Sequence, residues 1–493
     1  MSQYLLRISS WAGSTPGLFG PFVMDDEVLW SGDITLNYNA EAIYYNAAAA
    51  NHMEAFLPYF RAVLDFLPAA RRMASELYPQ CSNSLVFPAH ILPHGVHAAG
   101  VGGGDLAQKQ IGLFAAVPFI LYWRYSGSIV FAESSLPFLA GIARFWECNL
   151  LMGEDGFLHD ANDCAEEICL PDGDLQPDPS VVLSLLPSFF TMVAEVAELL
   201  NAETAETRQR WRSMAGRIAP YATEVIDGEE VIADFYGGET KHGLALRLHA
   251  GGSVAWGGLF AAFPLGTVHQ RSEKAAVDLV HRSLARFFKQ WPGGKQGNSF
   301  PHVFAAAARV GWRAEREGLL RDWEAYLTNT SDPKCRLHSN GMVLGCGSTG
   351  LENVGGAAFA TEMLLQMSSG VLQVFPSLPV GMAASFRLRA PGPVMVAASR
   401  ETSGEVTDFR LQLPTLESDV AMGPTVVRTD FLVQSPWPGS EILVDGQVAD
   451  VRSGVFRVGL TEGRIHQITP AAKKCRENPN AVRPATCGGS DIL

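Results

Sequence analysis

The hydrophobic periodicity of this 493-residue chain changes once, near residue 371, and the change separates two kinds of structure. Before it, apolar residues recur at helical intervals, as at Phe56, Phe60, Val63 and Leu67, which form one face of an α-helix. After it, segments such as residues 386–389 alternate apolar with polar residues, as half-buried strands do. We therefore predict a mainly α chain, in which a helical region precedes a β region.

Further helical patterns cover much of the first three-quarters of the chain. They lie at about residues 107–125, 134–152, 180–201, 204–218, 277–287, 300–309, 314–328 and 355–369. Gly- and Pro-rich loops separate them, as at residues 97–105 and 291–301. Helices with such long connections favour a helical toroid or barrel, because a simple bundle has shorter loops.

The β region contains alternating segments at residues 386–389, 409–413, 426–431 and 455–458. Asp445-Gly446 lies between two apolar stretches and predicts a hairpin, since this pair tolerates the positive φ of a tight turn. We expect a small antiparallel β domain. The predicted divisions are an N-terminal linker segment at 1–28, a helical domain at 29–371, the β domain at 372–470 and a disordered tail at 471–493.

The charge balance and the apolar content exclude several classes of protein. The chain has 51 acidic and 37 basic side chains, a net charge of −14, whereas a nucleic-acid binder presents a basic face. Hydrophobic residues make up 47% of it, enough for a large packed core. The uncharged stretch at residues 110–123 is 14 residues long, while a membrane-spanning helix needs about 20. We expect no membrane span, and residues 1–17 show no signal-peptide pattern.

The cysteines and histidines predict no metal site. Eight scattered cysteines do not form a disulfide scaffold, and no Cys-x-x-Cys pair is present. Cys164 and Cys169 are near enough in sequence to pair, but we favour the interpretation that both are buried free thiols in a short loop. The cysteines do not indicate the cellular compartment. His90, His94 and His97 lack a regular ligand spacing, so we interpret them as loop residues available to a substrate. We predict no cofactor.

Three segments place polar residues where a helical pattern needs apolar ones, and the first runs from Trp30 to Tyr45. Asn37 and Asn39 are two positions apart, so in an extended segment both amides point to the same side. Paired amides donate and accept hydrogen bonds together, which suits a water molecule or two sugar hydroxyls. Aromatic rings such as Tyr38 suit the apolar face of a pyranose. A capped helix start with Asx turns is the alternative.

The second segment, residues 159–167, holds five acidic or imidazole side chains in nine residues. Burial of Glu166 or Glu167 would raise the pKa of that carboxyl group, as a general acid near neutral pH requires. The alternatives are a solvated acidic loop and a calcium site formed by Asp160, Asp163 and a glutamate.

The third segment, residues 347–356, directly precedes a predicted helix. Glu352 lies just before the helix start, where the positive end of the helix dipole favours an ionised carboxylate. A general base needs such an ionised group. An ordinary capping carboxylate is the alternative.

In this order, the segments resemble the glycoside hydrolase family 95 catalytic region and its near relatives. Residues 30–45 resemble that group's Trp-Gly-Asp run, followed by Leu-Asn-x-Asn and an aromatic pair. Residues 351–379 resemble its segment in which an acidic residue, Asn and Gly open a helix ending in Glu-Met-Leu-Leu-Gln. Residues 162–167 resemble the stretch with the general acid, and residues 105–110 a polar stretch that opens a barrel helix. The similarity runs from about residue 17 to 413.

The resemblance implies an (α/α)6 barrel followed by a β domain, and inverting hydrolysis of terminal α-L-fucose- or α-L-galactose-type sugars in oligosaccharides or glycans. Asn37 and Asn39 would hold the attacking water. Glu167, or Glu166 if the register differs by one, would protonate the leaving oxygen, and Glu352 would assist the base. The predicted substrate-binding residues are Trp30, Asp33, Tyr38, Tyr45, His97, Gln108, Asp163 and Asn353.

Two other functions are compatible with a similar fold. The fucosidases of the family have an aspartate where Leu351 stands here, so a carbohydrate-binding pseudoenzyme without hydrolytic activity is the second hypothesis. A polysaccharide lyase is the third. A lyase would need a Tyr/His/Arg constellation and a basic groove for uronates, which the net charge of −14 does not favour.

Overall fold

A computed structural model describes residues 2–10, 32–98, 108–164, 177–233, 259–290, 300–312, 318–328, 335–337, 343–345, 348–349, 354–415 and 425–471. Within these ranges, helices predominate up to residue 364 and strands predominate after it. The α-helices are α1 (Ser2–Ser9), α2 (Asn39–Ala42), α3 (Leu57–Asp65), α4 (Leu67–Leu77), α5 (Ile111–Ser126), α6 (Ile129–Asn149), α7 (Ser180–Leu199), α8 (Ala205–Ala215), α9 (Lys274–Gln290), α10 (Phe300–Arg309), α11 (Gly318–Thr328) and α12 (Ala357–Leu364).

The strands are short in the helical region and longer beyond it. The former are β1 (Ile34–Thr35), β2 (His90–Leu92), β3 (Val96–His97), β4 (Leu151–Met152), β5 (Leu158–His159), β6 (Thr223–Ile226), β7 (Glu229–Ile232), β8 (Cys335–Leu337), β9 (Val343–Gly345) and β10 (Ser348–Thr349). The latter are β11 (Leu365–Ser368), β12 (Val371–Val374), β13 (Ala384–Ala390), β14 (Val394–Arg400), β15 (Val406–Gln412), β16 (Asp430–Gln434), β17 (Ile442–Val444), β18 (Gln447–Val448), β19 (Val451–Arg452), β20 (Val455–Gly459) and β21 (Ile465–Pro470).

The helical region packs around one hydrophobic core, which extends from Leu5 in α1 to Met363 in α12. α5 is apolar on all sides and buried along most of its length, in contact with α2, α6 and α7. α9 instead has one apolar stripe, in which Val280 and Leu284 are buried while Lys274 and Lys289 are exposed. The helical region therefore packs around α5, a helix that is apolar on all sides.

Most of the predicted helices are present, with shifted ends. α6 begins at residue 129 rather than 134, because the Ser128 hydroxyl caps it by accepting a hydrogen bond from the Phe131 N–H at 3.2 Å. The helix predicted at 355–369 ends at Leu364, because residue 365 begins strand β11, which pairs with β12. The predicted linker segment includes α1, whose Leu5 is buried in the core.

The strands described after residue 364 form two sheets, with strand orders β11-β12-β16-β20-β19 and β13-β14-β15-β21-β17-β18. All neighbouring strands in them are antiparallel except β12 and β16, which run parallel with Val371 opposite Leu432. A second hydrophobic core lies between residues 365 and 468 and includes the fully buried Phe409 and Phe431. The mainly helical core and the following sheets agree with the predicted fold class. The barrel arrangement and the domain boundaries remain predictions.

The hairpin at Asp445-Gly446 is confirmed: both residues have positive φ, and Val444 pairs with Gln447. The strand predicted at 426–431 begins only at residue 430. The preceding residues instead join the two regions, since the Val426 N–H donates to the Gly127 carbonyl at 2.8 Å. Gly127 ends α5 in the left-handed conformation that glycine adopts without strain.

A disulfide joins Cys81, just after α4, to Cys148 in the last turn of α6, 67 residues apart in sequence. Cys164 is also disulfide-bonded, so its interpretation as a buried free thiol is wrong, while Cys169 lies outside the described residues. The predicted disordered tail, from 472 onward, lies outside them too.

Among the described helices, α6 and α7 are long and apolar enough to cross a membrane by length and composition. Their most apolar windows are 61% and 83% buried inside the protein. Buried core helices meet the same two criteria, so this is weak evidence for a span.

Candidate functional site

The two predicted water-binding asparagines flank a strained turn between β1 and α2. The backbone is extended only through Thr35, so the prediction of an extended run at Asn37 and Asn39 is wrong. Asn39 is the first residue of α2, and both amides are buried. Tyr38, between them, has φ 151° and ψ −44°, a conformation that non-glycine residues rarely adopt. Such strain costs about 1–3 kcal/mol and is concentrated at functional sites.

Strand pairing holds this turn from one side. Ile34 in β1 pairs with Ile91 in β2, and the buried Asp33 carboxylate accepts a hydrogen bond from His90 Nδ1–H at 2.5 Å. The interpretation of His90 as a loop residue is therefore wrong. That interpretation is also wrong for His97, which lies in β3 opposite Ile91. Because Asp33 is fully buried, it supports the turn from inside the protein.

Aromatic side chains surround the turn. The ring of Tyr38 meets the rings of Phe260 and His302 edge to face, at 6.2 and 6.5 Å between centroids. Tyr45 packs against Phe263 at 5.3 Å. Tyr38 and Tyr45 are only 4% and 5% exposed, so most of each ring belongs to the core. Burial lowers the pKa of His302 to about 3, which keeps its imidazole neutral.

A buried carboxyl group, Glu41, lies directly after the turn. The hydroxyl oxygen of Tyr59, in α3, is 2.9 Å from Glu41 Oε1 and 3.1 Å from the Ala115 carbonyl oxygen in α5. Complete burial raises the pKa of Glu41 to about 8, against the lowering effect of hydrogen bonds from its own N–H, from Tyr59 and from the Tyr38 N–H. Glu41 is thus a link between the asparagine turn and the central helix α5.

The second segment begins with a buried carboxyl pair, Asp160 and Asp163, held by Lys109. The Lys109 ammonium donates to Asp160 Oδ1 at 2.7 Å, and its backbone N–H donates to Asp163 Oδ1 at 2.8 Å. Burial, followed by the charge of Asp160, raises the pKa of Asp163 well above its usual range. Burial also raises the pKa of Asp160, although Lys109 opposes the rise. Two carboxyl groups share one cation, so we assign a proton to Asp163.

This arrangement argues against both alternatives for the start of the second segment. A solvated acidic loop is wrong for Asp160 and Asp163, because neither is exposed. A calcium ion at the pair would lie against the Lys109 ammonium, which already supplies the positive charge. Gln108, next to Lys109, is buried and its Oε1 accepts a hydrogen bond from Gln110 at 3.2 Å.

The third segment approaches the first through Gly355. A Cβ atom at Gly355 would lie 2.7 Å from the Ala42 carbonyl oxygen and 2.5 Å from Pro301 Cβ, so only glycine fits. The chain immediately after Glu352 and Asn353 therefore packs on α2 and α10. Glu352 and Asn353 themselves lie outside the described residues, as do Trp30, Glu166 and Glu167, and their roles stay predictions.

The described parts of the first two segments adjoin α5, and the described part of the third packs on α2. α2 contacts α5, and Gly355 packs on α2. Lys109, two residues before α5, holds the carboxyl pair of the second segment. Sequence reasoning missed Glu41 and Lys109. For Glu41 a signal was present, since it is a lone charge in an apolar stretch of small and aromatic residues.

A cavity of about 350 Å³ lies elsewhere, between the β6–β7 hairpin and α9. Its basic residues include Arg286 and Lys289, which form ion pairs with Glu224 and Asp227. None of the predicted site residues lines it.

Comparison with known proteins adds a family match. A model of the glycosyl hydrolase family 95 catalytic domain matches residues 1–325, about two-thirds of the chain. An α-L-rhamnosidase from Dictyoglumus thermophilum is similar with a TM-score of 0.48 and 12% identity, over 95% of this chain and 48% of that one. A GH78 family rhamnosidase of Bacillus sp. GL1 is similar with a TM-score of 0.42 and 12% identity, over 78% of this chain and 38% of that one. The chain thus spans less than half the length of either protein. A search of curated proteins finds no match.

Proposed function

Since this chain belongs to the family of glycosyl hydrolase family 95 catalytic domains, we propose that it is a glycoside hydrolase that removes terminal sugars with inversion. In this proposal the helices form an (α/α)6 barrel followed by the β domain. The substrate is an α-linked L-fucose- or L-galactose-type sugar at the end of an oligosaccharide or glycan. The observation that carries the proposal is that the asparagine turn and the Asp160–Asp163–Lys109 cluster both adjoin α5, while Gly355 packs on α2.

The attacking water is assigned to Asn37 and Asn39. Two amides on either side of one residue can orient a water molecule by accepting its protons and donating to its oxygen. The unusual backbone of Tyr38 supports this role, because a strained turn braced on several sides is a typical feature of a site that holds a reactant in place.

The proton donor is assigned to Glu167, or to Glu166 if the register differs by one. Both follow the carboxyl pair within a few residues. With a proton on Asp163, the pair and Lys109 together carry no net charge, so a raised pKa of the proton donor would come from burial of its own carboxyl group. A raised pKa is what a general acid needs near neutral pH. Glu352 would act on the opposite side, where it assists removal of a proton from the water.

A carbohydrate-binding pseudoenzyme is the alternative, and Leu351 favours it. Where the resemblance expects an aspartate on the base side, this leucine has no proton-accepting group. Hydrolysis would then depend on Glu352 alone.

Hydrolysis of a panel of aryl α-L-fucosides, α-L- and β-D-galactosides and fucosylated oligosaccharides tests the proposal. We expect turnover of at least one α-L-glycoside, which is lost in Glu167→Gln, Glu352→Gln and Asn37→Ala. Glu401→Gln, an exposed residue of the β region, is the matched control and keeps full activity. Turnover that survives all three site variants contradicts the proposed roles.

Sugar binding without turnover would favour the pseudoenzyme, and Leu351→Asp is then the variant expected to gain activity. Absence of both turnover and binding across the panel contradicts both functions.

A further inference from the structure

We infer that Glu41 is a positioning residue of this site: a carboxylic acid that keeps its proton in the folded protein and ties the Asn37–Asn39 turn to the central helix α5. Glu41 was not among the predicted site residues. The inference rests on the proposed function only for the role of the turn, which is to hold the attacking water. The proton on Glu41 follows from the complete burial of its side chain and from the groups around it, whatever reaction the chain catalyses.

The two contacts of the Tyr59 hydroxyl can accommodate that proton. The Tyr59 hydroxyl lies within hydrogen-bond distance of both Glu41 Oε1 and the Ala115 carbonyl oxygen, yet it has one hydrogen to donate. A carbonyl oxygen only accepts. If Tyr59 donates to Ala115, then Glu41 must donate to the Tyr59 oxygen, and only a protonated carboxyl group can do so. The resulting chain runs from Glu41 through Tyr59 to α5, with each donor matched to one acceptor.

The surroundings of Glu41 also favour the neutral form. The side chain is completely buried, and Oε2 makes no hydrogen bond of normal geometry to any residue that the structure describes. Within the described part of the chain, the titratable groups that face it are phenols: Tyr59 from α3 and Tyr45 from the residues after α2. The α5 side contributes the Ala115 carbonyl. A buried carboxylate without a cation costs far more free energy than a buried acid.

The position of Glu41 connects it to the asparagine turn. Glu41 is the third residue of α2, and Tyr38 precedes that helix. A glutamate at the third position reaches back toward the N–H of the residue before the helix, as in a capping box. The Tyr38 N–H is near enough to lower the pKa of Glu41. The carboxyl group therefore lies one turn of α2 from the residue between Asn37 and Asn39.

The first test uses no substrate. Infrared difference spectra between wild type and Glu41→Gln, recorded between pH 4.5 and about 8, should contain the carbonyl band of one protonated carboxyl group. The band should disappear as the pH rises beyond that range. A difference spectrum with carboxylate bands alone at the lower pH would overturn the inference. This outcome is independent of whether the chain hydrolyses any glycoside, so failure of the proposed function and failure of the inference are distinguishable.

The second test measures activity. Glutamine keeps an N–H donor for Tyr59, so Glu41→Gln should retain most of kcat and extend activity to higher pH than wild type. Glu41→Ala removes the link, and a shift of the turn by about 1 Å should lower kcat on the order of 100-fold with little change in KM. If Glu41→Ala does not fold, the comparison of pH profiles between wild type and Glu41→Gln still tests the positioning role of Glu41. Equal alkaline limbs in the two proteins, or a Glu41→Gln variant with kcat reduced 100-fold, would overturn the positioning role.

Discussion

Replacing Glu41 with glutamine should make the protein more stable at neutral and alkaline pH. The pKa of this carboxyl group is 4.5 ordinarily and about 8 in the folded protein. Between these values the unfolded chain has released the proton while the folded protein keeps it. The free energy of unfolding therefore falls as the pH rises through this range, and the contribution present below pH 4.5 is lost by about pH 8.

The expected size of the effect follows from the width of that range. A difference of about 3.5 pKa units, at 1.36 kcal/mol per unit, amounts to about 5 kcal/mol of stability. Glutamine does not titrate, so Glu41→Gln avoids this loss. Relative to wild type, the variant should gain about 1.4 kcal/mol of unfolding free energy for each pH unit between 4.5 and about 8.

Urea unfolding of both proteins across this pH range measures the difference, because all other titrating groups cancel between them. Glu362→Gln is a suitable control. Its carboxylate forms two hydrogen bonds with Arg309, at 2.5 and 2.6 Å, so loss of that charge should destabilise the protein by about 3–5 kcal/mol. A stability difference for Glu41→Gln that does not change with pH, or that falls as pH rises, would refute the assignment of a proton to Glu41.

Three further variants test other parts of the structure by urea unfolding. Lys109→Met should cost about 3–5 kcal/mol at neutral pH, since it leaves the buried carboxyl pair without its cation, and acidification should reduce that cost; an unchanged stability would contradict the pairing. Replacing Cys81 and Cys148 by alanine opens a loop of 67 residues and should cost about 4 kcal/mol; a loss below 1 kcal/mol would contradict this entropic account. Gly355→Ala should cost about 1–3 kcal/mol and reduce activity, because its methyl group meets the Ala42 carbonyl; full stability would contradict the close approach.

Local sequence patterns predicted the type of most elements and misplaced several of their ends. The apolar stripe of α9 and the Asp445-Gly446 turn depend on neighbouring residues, so they were visible without the fold. The end of α12 was not, because apolar residues continue past Leu364 and only pairing with β12 decides that residue 365 is in a strand. The disulfide between Cys81 and Cys148 also depends on tertiary proximity.

The polar segments of the candidate site were predictable from the sequence, whereas the contacts that hold them in place were not. Asn37 and Asn39 stand out in sequence, but their turn depends on the pairing of Ile34 with Ile91 and on the buried Glu41. The pairing of Lys109 with the aspartates joins residues more than 50 positions apart, which no local pattern reveals. The roles of Glu167 and Glu352 stay predictions.

Proton NMR of the sugar first released from an α-L-glycoside distinguishes an inverting hydrolase from every other candidate. Wild type should release the β-anomer before mutarotation, and Asn37→Ala should release none at a comparable rate. First release of the α-anomer, or an unchanged rate in Asn37→Ala, would contradict a water held by the two asparagines.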